Sequence, residues 1–422
     1  MSRPRGEFLA IGSELLDPWR HDTNGSYVAL RLGGIGISLR FRTVVGDAPE
    51  DLEEAFRVAI GRSDLVVATG GLGPTVDDLT REALASVLGL RLREEPGIVR
   101  FIEERFRRLG RPMVGRNRRQ ALVPEGAEVL PNRLGSAPGL LVCSGRATVA
   151  LLPGVPSEMR AMLDEVLMPR LGPTGERFVY RVLKIAGLTE SEVDDRLTEV
   201  HRGAGEVAWT ILAGAGQIEI HLRERVTGPA RPAGIDRLER EIERLLGSNL
   251  FARDDETMES VIGRLLLAAG ATLATAESIT AGAISRRVTS VAGSSRYFRG
   301  GIVCYSDEAK VRILGVPRET MTSRTAVSGE VAAEMASRCR GLLETTWGLS
   351  ATGYAGPEGG GESSPPGTVF LAASGPAATV GRRLILPGER ELVRERAAQA
   401  ALDLLRRLLL GGDEAGPAPA PR

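Results

Sequence analysis

From Gly6 onward, short apolar runs alternate with stretches whose apolar residues recur at helical spacing. FLAIG (8–12) is such a run, and TNGSYVALRLGGIG (23–36) reads as a helix with Thr23 or Asn24 as its cap. ISLRFRTVV (37–45) alternates as a strand does. PEDLEEAFRVAIG (49–61) is a helix with proline in its first turn, and DLVVAT (64–69) is a buried strand. After GGLGPTVDD comes a helix, LTREALASVLG (79–89), and the strand TVALLP (148–153) and helix PSEMRAMLDEVL (156–167) close the unit near Leu171. Such alternation predicts an α/β fold: a doubly wound parallel sheet whose active loops lie at the strand C-termini.

Residues 172–254 change character. The strands FVYRVLKIA, EVAWTIL and QIEIHLRERV, with the helix TESEVDDRLTEV and a charged helix, predict a small α+β linker or interface domain without a reactive constellation. A second doubly wound α/β domain is expected over 255–411, opening with the helix TMESVIGRLLLAAG and ending with ERELVRERAAQAALDLLRRLLL. A fragment starting near Asp255 is expected to stand alone. The Gly/Pro-rich residues 412–422 read as a disordered tail.

Composition narrows the function. Three domains fit 422 residues, at roughly 150 residues each. The 54 basic and 54 acidic residues cancel and aromatics are 4%, which argues against direct nucleic-acid binding. No apolar run is long enough to span a membrane. Three scattered cysteines form no disulfide framework, as suits the cytoplasm. With three histidines and no CxxC or HExxH, a catalytic metal would need oxygen ligands. Only two of the basic residues are lysines, Lys184 and Lys310. Arginine cannot give up its proton near neutral pH, whereas a buried lysine can, so each lysine is a candidate for proton chemistry.

Two constellations carry chemistry. Gly70, Gly71, Gly73 and Thr75 lie between a buried strand and a helix, where backbone N–H groups can approach a phosphate. Asp77 and Asp78 follow at once, and paired carboxylates beside an anion site suit a divalent cation. A tight turn with one aspartate capping the helix accounts for the same residues. In the last domain the strand LATAES runs into Ser278, and ITAGAISRRV then reads as a helix. The serine is thus expected at a helix N-terminus, with Lys310 of CYSDEAK as the only titrating amine of that domain. On spacing alone, Ser278 as a plain N-cap and Lys310 as a solvated helix residue is the favoured reading.

GSELL (12–16), the helix opening at Thr23-Asn24, VVGD (44–47), TGGLGPTVDDLTREA (69–83), NRRQALVPEGAEVL (117–130) and LPGVPSEM (152–159) resemble the N-terminal domain of CinA proteins, which is similar to the MoaB/MogA molybdopterin-binding fold. The resemblance implies hydrolysis of ADP-ribose to AMP and ribose 5-phosphate with a divalent cation of the Mg, Mn or Co class. Asp77 and Asp78 would hold the metal, with Asp47 and Glu14 as further acids. Ser13 stands where the family reads aspartate. TAESITAG, GSSRYFRGGIVCYSDEAKVRILGVP, AVSGEVA, SATGYAGPEGGG and PPGTVFLA resemble the C-terminal CinA domain, the PncC-type nicotinamide mononucleotide amidohydrolase. That domain is implied to deamidate nicotinamide mononucleotide to nicotinate mononucleotide without a cofactor. Ser278 is then the nucleophile, Lys310 the base, and Tyr305 and Thr352 supporting hydroxyls. Gly356, Gly359 and Gly360 would cradle the phosphate with Arg394 as the cation. Ala281 and Glu358 depart from the family's TGG and GPGGG. The implied whole is a bifunctional pyridine-nucleotide salvage hydrolase and homodimer. The alternatives are a molybdopterin-like binding module without turnover, and a competence or DNA-damage adaptor.

Overall fold

The alternation of apolar runs and amphipathic stretches is realised in a computed structural model that describes residues 4–145, 147–214, 216–359 and 361–411. Residues 412–422, expected as a disordered tail, lie outside the described residues. The chain divides into two compact units, Met1–Val179 with Arg225–Pro232, and Tyr180–Glu224 with Ala233–Arg422. The boundary expected at 254/255 therefore falls inside the second unit.

The first unit begins with β1 (Arg5–Ile11), α1 (Asn24–Gly33), β2 (Ser38–Val45), α2 (Pro49–Arg62), β3 (Leu65–Thr69) and α3 (Thr80–Leu88). A ribbon of β4 (Leu92–Glu94) and β5 (Leu122–Pro124) flanks α4 (Pro96–Arg108). Then follow β6 (Glu128–Leu130), β7 (Gly139–Ser144), β8 (Ala147–Leu152) and α5 (Pro156–Met162), which passes through a π turn into α6 (Met168–Leu171). The sheet order is β2-β1-β3-β8-β7-β6; the first four strands are parallel, β7 pairs antiparallel to β8, and β6 antiparallel to β7. Every residue of β3 is buried, as a strand covered on both faces requires. Val66 and Ala68 join the cluster of Leu52 and Phe56, while Leu65 and Val67 join that of Val28, Leu32 and Met159. Thr23 occupies the cap position of α1 without a side-chain bond; Asp22 does the capping, accepting from the Asn24 and Gly25 amides at 2.9 and 3.0 Å.

The second unit opens within β9 (Glu176–Ile185) at Tyr180 and takes in α7 (Glu190–Arg202), β10 (Ala208–Ala213), β11 (Ile218–Thr227) as far as Glu224, α8 (Ala233–Leu246) and β12 (Leu250–Arg253). The sheet order is β10-β11-β9-β12, and a Thr189/Glu192 capping box starts α7. The chain continues through α9 (Met258–Ala268), β13 (Leu273–Glu277), α10 (Ala283–Thr289), β14 (Phe298–Val303), α11 (Asp307–Arg312), α12 (Arg318–Arg324) and α13 (Gly329–Leu342). It ends with β15 (Trp347–Gly353), β16 (Thr368–Ser374), β17 (Thr379–Ile385) and α14 (Arg390–Leu409). In the order β14-β13-β15-β16-β17, β13 lies parallel between β14 and β15, and β16 and β17 form an antiparallel edge. Among the described residues no helix is long and apolar enough to cross a membrane.

The small α+β segment and the last α/β domain share one core. Ala186, Phe251 and Ala252 pack in the same cluster as Met258, Ile262, Val393 and Ala397. Buried Arg406, paired with Asp403, donates to the Ser248 carbonyl at 2.6 Å, and Arg407 donates to that of Ala186 at 3.3 Å. A fragment starting at Asp255 loses these partners and exposes the pocket that Phe251 fills. It is expected to be less stable than a 176–422 fragment by at least about 3 kcal/mol, the usual scale for emptying a phenylalanine site. Equal denaturant midpoints for the two fragments would refute the shared core.

Candidate functional site

The clearest site grows from the C-terminal end of β13. Its residues LATAE are all buried and alternate between faces: Ala274 and Ala276 pack with Cys304, Val331 and Met335, while Thr275 and Glu277 bond to Ser285 of α10. The Ser278 amide donates to the Ala351 carbonyl at 2.9 Å and carries the pairing with β15 one residue further. The chain then turns sharply, with Ala281 at φ 46° and Gly282 at φ 94°, before α10 starts at Ala283. Ser278 is thus not at a helix N-terminus, as the sequence reading expected. The turn, not a helix dipole, holds it.

Ser278, Tyr305, Lys310, Gly356, Glu358 and Arg390 line one cleft of about 390 Å³, together with Asp307 and Tyr354, a size suited to a small ligand. Ser278 is 6% exposed and Lys310 2%. The Lys310 Nζ donates to the Ala326 carbonyl at 3.1 Å and stands 3.5 Å from Asp307, whose carboxylate is largely solvated. Burial pulls the lysine below its usual pKa; Asp307 opposes the shift, and the nearby Cys304 thiol would oppose it only when ionised. Burial also pushes that thiol up to about 11, so it is neutral at physiological pH. Ala326 follows Thr325, a β-branched residue at φ 67°, a strained conformation that sets the direction of this carbonyl.

The other expected residues divide. Tyr305 is exposed at the mouth, and its hydroxyl accepts from Arg390 Nη2 at 2.6 Å. Thr352 does not line the cleft: it is fully buried and donates to the Ala326 carbonyl at 3.3 Å, behind Lys310. Arg394 is not the cleft's cation. It donates to the carbonyls of Ile279 and Thr280 at 3.2 and 3.3 Å and bridges to Glu391, bracing the serine loop from behind. Arg390, one turn earlier on α14, lines the cleft instead and also donates to the Gly356 carbonyl at 2.8 Å. Helical spacing makes both positions look alike in sequence. Gly359 packs against the backbone of 364–366, which a Cβ would meet at 2.7 Å, and Gly360 lies outside the described residues. Lys184 donates to the Glu256 carbonyl at 2.7 Å, away from this cleft.

In the first unit the Gly-rich loop is shaped by its own packing. A Cβ on Gly70 would meet the Ile11 carbonyl at 2.1 Å, and one on Gly71 the Thr80 hydroxyl at 2.1 Å. One on Gly73 would meet the Asp78 carboxylate at 2.6 Å. Arg81 donates to the Leu72 and Gly73 carbonyls and Arg119 to that of Thr75, so two guanidinium groups underlie the loop. The acids do not converge. Asp78 is taken up by the Thr75 amide at 2.7 Å and the Thr75 hydroxyl, and Asp77 is exposed. Asp47 accepts from the Ser13 amide at 2.7 Å while Ser13 Oγ accepts from the Asp47 amide at 3.1 Å, and Glu14 stands over Gly12. Among the described residues no three His, Cys, Asp or Glu side chains can share a metal ion. Asp77, Asp78, Asp47 and Glu14 thus form no cage of three protein ligands, and a cation here would rest on one or two carboxylates together with a ligand phosphate.

Fold and site together define a two-headed α/β protein with a molybdopterin-binding type of domain and a serine-lysine cleft. Comparison with known proteins agrees. Family models match as "Probable molybdopterin binding domain" over 7–173, "Damage-inducible protein CinA KH domain" over 180–252 and "CinA C-terminal domain" over 255–409. A CinA-like protein of Solibacter usitatus is 41% identical over 96% of this chain and 98% of its own. One from Gloeobacter violaceus is 40% identical over 98% of both. The solved structure of the protein CinA from Thermoplasma acidophilum is 33% identical, covering 40% of this chain and 98% of its own, at a TM-score of 0.37. The chain belongs to the CinA family.

Ala281 is exposed, yet its left-handed backbone suits glycine. Ala281→Gly is expected to stabilise the protein by about 1 kcal/mol, the cost of a Cβ in that region. Denaturant unfolding measures it; a loss of stability would show that the methyl is needed.

Proposed function

We propose that the C-terminal head hydrolyses the carboxamide of nicotinamide mononucleotide to a carboxylate and ammonia. One observation carries the reading: a serine and a buried, depressed lysine line the same cleft. A neutral Lys310 amine can take the Ser278 proton as Oγ attacks the amide carbon, and can return it to the departing nitrogen. Water then attacks the acyl-serine with the same lysine as base, releasing the nicotinate nucleotide and restoring the hydroxyl. Arg390 supplies the positive charge for a phosphate at the mouth, and its bond to Tyr305 is available for exchange. None of these steps requires a metal.

Lys310→Arg keeps the charge but cannot accept a proton. Ammonia release should fall at least about a hundredfold, as for Ser278→Ala, because general-base catalysis is typically worth 10²–10⁴-fold. A Lys310→Arg variant within a few-fold of the parent would refute the mechanism. The pH profile gives a second check. The working lysine is neutral, so the rate falls as pH drops through its pKa. Asp307 raises that pKa. Asp307→Asn should therefore move the acid limb to lower pH, and an unchanged or higher limb would contradict the assignment.

For the first unit, the Gly-rich loop after β3, braced by buried Arg81 and by Arg119 paired with Glu82, supports binding of an anionic ligand, of the ADP-ribose or molybdopterin class, through its backbone N–H groups. The dispersed carboxylates favour binding without turnover over the metal-dependent hydrolysis that the family resemblance implies. ADP-ribose should bind equally with EDTA or with magnesium, manganese or cobalt, and yield no AMP. Metal-dependent AMP release that disappears in Asp77→Asn and Asp78→Asn would restore the pyrophosphatase reading.

A further inference from the structure

Glu277 precedes the serine, is fully buried at the end of β13, and does not line the cleft. One carboxylate oxygen accepts from the amides of Gly282 and Ile284 at 2.9 and 3.0 Å. The other accepts from the amide and hydroxyl of Ser285 at 2.8 and 2.5 Å. A buried carboxylate is tolerated only when hydrogen-bonded in this way, and these charge-assisted bonds are among the strongest in a protein. The Thr275 hydroxyl adds a longer bond at 3.5 Å. The other donors belong to Gly282, which closes the turn 278–282, and to Ile284 and Ser285 just beyond it. That turn contains Ala281 in a strained left-handed conformation, which persists only where its surroundings enforce it. Arg394 grips the Ile279 and Thr280 carbonyls of the same turn.

We propose that Glu277 is a positioning residue for the reaction: it fixes the turn that aims the Ser278 hydroxyl into the cleft. The proposal rests on the serine-lysine reading of that cleft. Adjacent residues at a strand end point to opposite faces, so the anchor holds α10 on one side while the nucleophile serves the other. A side-chain amide is a poor replacement for the carboxylate, because in either orientation its NH₂ would face at least one backbone N–H donor.

The test uses the full chain and two readouts: steady-state ammonia release from nicotinamide mononucleotide, and the rate at which a fluorophosphonate labels Ser278, followed by mass spectrometry. Labelling needs no knowledge of the substrate. Glu277→Gln should lower kcat and the labelling rate at least tenfold, with KM within about threefold and the acid limb of the pH profile unmoved. Ser285→Ala removes one donor and leaves the carboxylate; it should lower both rates in the same sense by a smaller factor. If Glu277→Gln melts below the assay temperature, Ser285→Ala alone decides. Rates within twofold of the parent in a folded variant, or a loss carried by KM, overturn the proposal. A parent labelled at Ser278 that releases no ammonia defeats the substrate reading while the labelling ratio still decides the role of Glu277. A parent that is not labelled at Ser278 overturns both.

Discussion

A buried ammonium group is costly, and the second unit places one in the serine cleft with little to compensate it. Lys310 has a single carbonyl at bonding distance and one solvated carboxylate at 3.5 Å. Losing the proton relieves that cost, so the fold itself prepares a base. Other features serve the same end. Thr325 is held in a strained conformation so that the Ala326 carbonyl meets both Lys310 and Thr352, and Cys304 stays a neutral thiol beside them.

The nucleophile is held by a comparable arrangement of opposing ties. Glu277 draws the start of α10 against the buried face of β13, and Arg394 grips the carbonyls of the serine loop from α14. The same helix sends Arg390 into the cleft and, four turns on, uses Arg406 and Arg407 to bond the small α+β segment. Cleft geometry and the packing of that segment thus depend on one element.

Periodicity made the alternating strands and helices legible, because an apolar run of five and a 3.6-residue stripe are unmistakable in β3 and α2. The strand running into Ser278, the scarcity of lysine that marked Lys310 and the family resemblance that added Tyr305 brought these residues to notice, and they do meet. Direction was not legible. Arg390 and Arg394 lie a turn apart, and only packing decides which faces the cleft. Glu277 reads as one more strand residue until α10 is seen against it. The helix after Ser278 started late because Ala281 and Gly282 turn left-handed. In the first unit, Asp77 and Asp78 looked like a metal pair, whereas short-range bonds of the kind Thr75 offers Asp78 compete for such carboxylates. Ser13, which read as a lost acid, instead exchanges hydrogen bonds with Asp47.

The central claim is that Lys310 is neutral at working pH, and the sequence makes this directly measurable because it contains only two lysines, Lys184 and Lys310. Lysine labelled with ¹³C at the ε carbon gives two resonances, and the one lost in Lys310→Arg belongs to Lys310. Following both through a pH titration reports each pKa. The account predicts that the Lys310 resonance titrates clearly below the ordinary value of roughly 10.4. A Lys310 midpoint at or above that value would contradict it.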